Sequence, residues 1–158
     1  MKYRILSDIE LKELENDFKH FLIANSVYDD EWKKLNQNND KRVIELIEKF
    51  SDIVVEKALA NVKFLEFIAK DSISTFFCAK NEMILIGIEC KRKEIDFTKQ
   101  PFDLIKGDLI IYKTVKPYKK KREEEIFELL ESGCSLIQEE QFKRMDMAYN
   151  LSQQSTQN

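Results

Sequence analysis

The first regular signal along the chain is a helical one. Leu11, Leu14, Phe18, Phe21 and Leu22 recur at three- and four-residue spacing, which places them on one face of a helix. Ser7 and Glu10 have the S-x-x-E spacing of a capping box, so this helix is expected to begin near Asp8. It is expected to fade at Asn25-Ser26. Asp29 or Asp30 then caps a short second helix carrying Trp32 and Leu35. Past the polar joint Asn36 to Asp40, with Asp40 as cap, the longest apolar stripe follows. Val43, Ile44, Ile47, Phe50, Ile53, Val54, Ala58, Val62 and Leu65 keep the helical period from about Lys41 to Phe67, with Ser51 as a place for a bend.

The pattern then changes to that of strands. Thr75 to Cys78 and Met83 to Cys90 are apolar, β-prone runs around a polar joint at Lys80-Asn81, the signature of a hairpin. Asp108 to Val115 reads as a further strand after the loop around Pro101. Glu123 to Glu131 is helical, with its acids at the positive N-terminal end and Gly133 as a left-handed stop. Cys134 to Ile137 suits a short last strand and Glu139 to Tyr149 a final helix. The expected fold is α+β: N-terminal helices packed on a small, largely antiparallel sheet, with C-terminal helices beside it. Residues 1–150 form a single domain in this reading, and 151–158 a disordered polar tail.

Composition narrows the class without naming an activity. The chain has 158 residues, 43% hydrophobic and 35% charged, with eleven Phe but only three Gly and two Pro. This is one folded domain's worth of core with long elements, not a many-turned β-sandwich. No apolar run reaches the roughly 20 residues that span a bilayer, and "MKYRILSDIELKELE" turns acidic too early for a signal peptide. Cys78, Cys90 and Cys134 have no CxxC spacing and read as reduced core thiols of a cytoplasmic protein.

Candidate chemistry is sparse. His20 is the single histidine and has no partner at ligand spacing, so no metal is expected. The isolated Gly87, Gly107 and Gly133 form no phosphate-cradling loop, and no cofactor is expected. Asp29-Asp30-Glu31 beside Trp32 is explained by a helix start, and Asp52 with Glu56 by surface charge. Cys78 and Cys90 fall on the two hairpin strands and are able, on paper, to approach each other.

Charge is the one asymmetric feature. Lys91 to Arg122 holds eleven Lys/Arg against four Asp/Glu, a balance of +7, and Glu123 to Glu140 holds seven acids and no base, a balance of −7. If the strands are neighbours, Lys91-Arg92-Lys93 and the Lys116 to Arg122 cluster share one edge of the sheet. The expected contact surface is Tyr118, Lys119, Lys120, Lys121 and Arg122. Such a patch suits a polyanion through counterion release, with Tyr118 stacking on a base. The acidic block that follows weakens that field, and edge lysines also serve to prevent aggregation.

The stretches "MKYRIL", "DFKHFLIANSV", "DEWKKL", "FSDIVVEKAL", "KFLE", "MILIGIE" and "KKREEEIFELLESGC" together resemble a family of small uncharacterised proteins from Bacteroidetes-type bacteria. The resemblance runs from Met1 to Cys134. It implies a cytoplasmic bacterial protein, a domain of unknown function, and carries no catalytic residues across. The expected role is that of a non-enzymatic binding or adaptor module whose partner is another protein. Alternatives are RNA or polyanion binding through residues 116–122, and a small enzyme or ligand-binding protein using carboxylates and thiols. Oligomeric state is left open, with self-association through an exposed edge strand as one possibility.

Overall fold

The computed structural model describes residues 1–100 and 109–157. Over them the chain is α+β, with six helices and a five-stranded antiparallel sheet. It divides into two compact units, Met1–Ala60 and Asn61–Asn158.

The first unit is helical: α1 (Asp8–Glu13), α2 (Glu15–Ala24), α3 (Asp29–Gln37) and α4 (Lys41–Ala60). The capping box forms in full, with Glu10 N–H donating to Ser7 Oγ and Ser7 N–H to the Glu10 carboxylate. Leu14 separates α1 from α2, yet its N–H still donates to Glu10 and its carbonyl accepts from Phe18, so the break is a kink. Helix α2 ends in a Schellman motif: Val27 N–H reaches Leu22 O at 2.8 Å, Ser26 N–H reaches Ile23 O at 2.9 Å, and Ser26 is left-handed (φ 60°). Asn39 (φ 49°) ends α3 in the same way. These turns drive Val27 and Leu35 into a core with Leu22 and Leu46, around which Phe18, Phe21, Trp32 and Val43 pack.

Three expectations need correction here. Asp29 is the first residue of α3, and neither it nor Asp30 is the cap; the cap residue is Tyr28, with no side-chain bond. Ser51 does not divide the stripe into two helices: α4 runs unbroken through it from Lys41 to Ala60, and its buried hydroxyl accepts from Leu6 N–H at 3.0 Å. Asp52 accepts from the N–H groups of Lys2 and Tyr3, at 2.8 and 3.0 Å, so it pins the N-terminal strap and is not merely surface charge.

The second unit begins with a further correction. Helix α4 stops at Ala60, and residues 64–67, expected as its last turns, belong to strand β1 (Phe64–Ile68). β2 (Ser72–Cys78), β3 (Glu82–Cys90), β4 (Leu109–Pro117) and the two-residue β5 (Ser135–Leu136) complete the sheet in the order β4-β3-β2-β1-β5. The expected hairpin is present, in register Cys78↔Met83 to Ser72↔Glu89. Asp108 lies outside the described residues, as do Pro101 and Gly107.

Strand alternation gives the sheet two apolar faces. Ile73, Ile86, Ile88 and Cys90 pack with Phe142 and Met145 of α6 (Glu139–Gln157). The opposite face carries Leu65, Phe76, Met83 and Leu85, and α5 (Arg122–Glu131) lies over part of it. There Tyr112 crosses Gly87, its registered neighbour, so closely that a Cβ on residue 87 would fall 2.2 Å from the ring. Glycine is required at that crossing. Gly133 (φ 107°) ends α5 as a left-handed stop. Residues 151–157, expected in a disordered tail, continue α6.

Candidate functional site: the open edge of the sheet and its groove

The basic segment follows β4 directly, and its five residues divide into two groups. Tyr118 and Arg122 turn inward. The Tyr118 hydroxyl donates to Ala79 O at 2.8 Å, and burial pushes its pKa up to about 12. Arg122 donates to Ala79 O at 3.2 Å, to Cys78 O at 3.0 Å and to Val62 O, and it pairs with Glu123. Its side chain is 14% exposed. One guanidinium therefore ties the start of α5 to the β2–β3 turn and to the segment entering β1, a use for its five fixed donors that lysine does not match.

Lys119, Lys120 and Lys121 stay at the surface. The Glu125 carboxylate accepts from Lys119 N–H at 2.9 Å, which closes the turn, and Lys120 pairs with Glu128, which raises the lysine's pKa. Lys121 is the cap residue of α5. The acids that follow the lysines in sequence thus fold back onto them. Lys91-Arg92-Lys93 is not alongside. It leaves β3 beyond Cys90↔Leu109, whereas Lys116 to Arg122 leaves β4 at Glu82↔Pro117. Antiparallel pairing sends the two clusters to opposite ends of the strands, about 27 Å apart at roughly 3.4 Å per residue. The shared edge expected from the sequence does not form.

What lies beside the basic segment is apolar. A groove of about 590 Å³ opens between the sheet and α5, walled by Phe76, Met83, Leu85, Tyr118 and Leu129, with Lys116, Glu125 and Glu128 among its polar lining. It flanks β4, which pairs with β3 along one side and, among the described residues, with no strand along the other. Ile110 and Val115 are exposed on that strand. The β-prone runs of β3 and β4 were readable in sequence, but which strand ends the sheet depends on pairing between distant segments and carries no local signal.

Among the described residues of the second unit, the thiols form no reactive group with an acid. Cys78 and Cys90 sit at opposite ends of the β2–β3 hairpin, and all three cysteines are free and buried. Cys90 does border a cleft with Asp71 and Glu89, but its side chain belongs to the core under α6 and Glu89 alternates to the other face. His20 is exposed on α2. No cluster of three His, Cys, Asp or Glu able to hold a metal occurs among the described residues. Burial pushes the Cys78 thiol up to about 11, against the pull of Arg122. At pH 8 its alkylation is expected to run about a hundredfold slower than in the urea-unfolded chain, because thiolate is the reacting form. Site-resolved mass spectrometry of iodoacetamide-treated protein measures this, and equal labelling in both states would contradict a buried thiol.

These features define a class: an α+β protein with an open strand edge, a neighbouring apolar groove, and no helix among the described residues long and apolar enough to cross a membrane. Within that class, the chain belongs to a family of unknown function (DUF6495), which matches residues 1–150. No match was found among curated proteins or among solved structures.

Proposed function

We propose that this chain is a cytoplasmic, bacterial protein-binding module that takes an extended segment of another protein along β4. The observation that carries this reading is the outer edge of β4, nine residues long and unpaired among the described residues. An extended segment added there gains main-chain hydrogen bonds, and its alternate side chains fall beside the groove. Partner chemistry follows from the lining. Apolar side chains suit Phe76, Met83, Leu85 and Leu129. Acidic flanks suit Lys116 and Lys119, whose ammonium groups meet no carboxylate among the described residues. The three buried free thiols favour a reducing compartment, and the bacterial source rests on the family resemblance. Tyr118 and Arg122 shape the end of the contact surface, and Lys119, Lys120 and Lys121 rim it.

The test is affinity capture from native bacterial lysate with nuclease present, comparing wild type with Val115→Lys and Ile110→Lys. Added charge on an edge strand blocks strand addition. A specific protein that is retained through nuclease and raised salt, and lost from both edge variants, supports the reading. Nucleic acid that departs with salt would replace it by polyanion binding. Equal retention on the edge variants would remove β4 from the interface.

A further inference from the structure

A second cavity lies away from β4, and it is chemically unlike the groove. It has a volume of about 340 Å³ and is bounded by β1, the turn Asp96 to Gln100, and α6. This is the small end of the ~300–1,000 Å³ range of ligand sites, suited to a molecule the size of an amino acid and too small for a nucleotide. Its apolar lining is Ile68, Ile73, Phe97 and Met145. Its charged lining is one carboxylate, Glu66, and two cations, Lys99 and Arg144.

Glu66 is the unusual member. It interrupts the apolar strand "FLEFI" at a position where alternation points it, with Phe64 and Ile68, to the α6 side of the sheet. Its registered neighbours are Thr75 on β2 and Ser135 on β5; Thr75 is fully buried and donates to Ile86 O at 3.1 Å, and no hydrogen bond joins the Ser135 hydroxyl to the carboxylate. Among the described residues no group hydrogen-bonds to the Glu66 carboxylate and no cation pairs with it. Burial accordingly raises its pKa, with no opposing contribution. A half-buried, unmatched carboxylate costs stability that glutamine or leucine at the same site would not.

The cations sit on separate elements. Lys99 sits on a turn closed by Asp96, whose carboxylate accepts from Thr98 N–H at 2.9 Å and whose carbonyl accepts from Lys99 N–H at 3.1 Å; Phe97 is buried and its N–H donates to Lys70 O. Arg144 is on α6, beside the buried Met145. Opposite charges thus border one cavity without closing on each other.

We propose that this cavity binds a small zwitterion of the α-amino-acid type, with its ammonium on Glu66, its carboxylate toward Lys99 and Arg144, and an apolar side chain against Ile68, Ile73 and Phe97. The inference uses residues separate from β4, so either reading can fail alone.

The experiment is calorimetric titration of the full chain at pH 7 with L-leucine, L-methionine and L-phenylalanine. The L-leucine titration is set against 4-methylpentanoate, which lacks the amine, and 3-methylbutylamine, which lacks the carboxylate. At least one amino acid is expected to bind, and L-leucine to bind about tenfold or more tighter than either half-molecule, because each charged contact contributes separately. Glu66→Gln is expected to lose that advantage over 4-methylpentanoate while folding normally. The variant has a second signature. A carboxyl whose pKa is raised in the folded state contributes stability at low pH that is lost as pH rises through that pKa. Glu66→Gln should therefore melt higher than wild type at pH 7 and lose this advantage near pH 4. A stabilised variant that has lost binding supports a ligand site maintained at a cost to the fold. Absence of binding by all three amino acids at millimolar concentration overturns the proposal. So does equal affinity of L-leucine and 4-methylpentanoate, or undiminished binding to Glu66→Gln.

Discussion

Replacing Arg122 by alanine is expected to destabilise the protein by about 2–4 kcal/mol, measured by urea denaturation. The side chain donates to three carbonyls, of Val62, Cys78 and Ala79, in a place with little access to water. Each buried acceptor left unmatched costs about 1–3 kcal/mol. The loss is moderated at Ala79, whose carbonyl keeps the Tyr118 hydroxyl. Glu123, only 16% exposed, would also lose its cation. Arg122→Lys should recover less than half of the loss, since a single ammonium cannot span three acceptors on separate segments. Lys121→Ala, one residue earlier, is expected to change stability by under about 0.5 kcal/mol. A small effect at Arg122, equal to that at Lys121, would mean that the inward bonds contribute little.

That contrast shows where sequence reading stops. In "YKKKREEE" the arginine is indistinguishable from the lysines before it, because what separates them is the arrival of Cys78, Ala79 and Val62 from distant parts of the chain. Local features were legible for the opposite reason. The Ser7–Glu10 box, the Asp40 cap, the Cys78–Met83 hairpin turn and the Gly133 stop are each decided within a few residues. The boundary at Ala60 was not, since Val62 and Leu65 continue the helical spacing of α4, and only the pairing of Phe64–Ile68 with Ser72–Cys78 overrides it. The same non-local pairing sends the two basic clusters to opposite ends of the sheet. Glu66 did leave a trace: a lone acid among "KFLEFI" is a charge on a strand with little room for one. Its significance depends on the strands that flank it, with Thr75 committed to Ile86 on one side and Ser135 on the other, a fact of register that no local pattern contains.

The second large effect is expected at Phe142, where alanine should cost about 3–5 kcal/mol, as for other buried aromatics cut back to a methyl group. The ring is 8% exposed and meets Phe64 of β1 and Phe77 of β2 at centroid distances of 5.5 and 5.9 Å, while those two stack on each other at 5.0 Å. This trio is an aromatic anchor of α6 on the sheet, so its loss removes packing from three elements together. Phe142→Leu fills most of the space and should cost under about 1.5 kcal/mol. Alanine at Met147, exposed on the same helix, should change little. Position 142 also controls a wall of the Glu66 cavity, because Gln141, Arg144 and Met145 lie within one turn of it on α6. Hydrogen exchange separates the two consequences. In Phe142→Leu the amides of 142–149 should remain protected to nearly the global unfolding limit, with the cavity wall in place. In Phe142→Ala they should exchange well before the β2–β3 amides, the helix lifting as a unit while the hairpin holds. Uniform loss of protection across α6 and the sheet would instead make the aromatic trio part of one indivisible core, and the cavity wall as rigid as the strands beneath it.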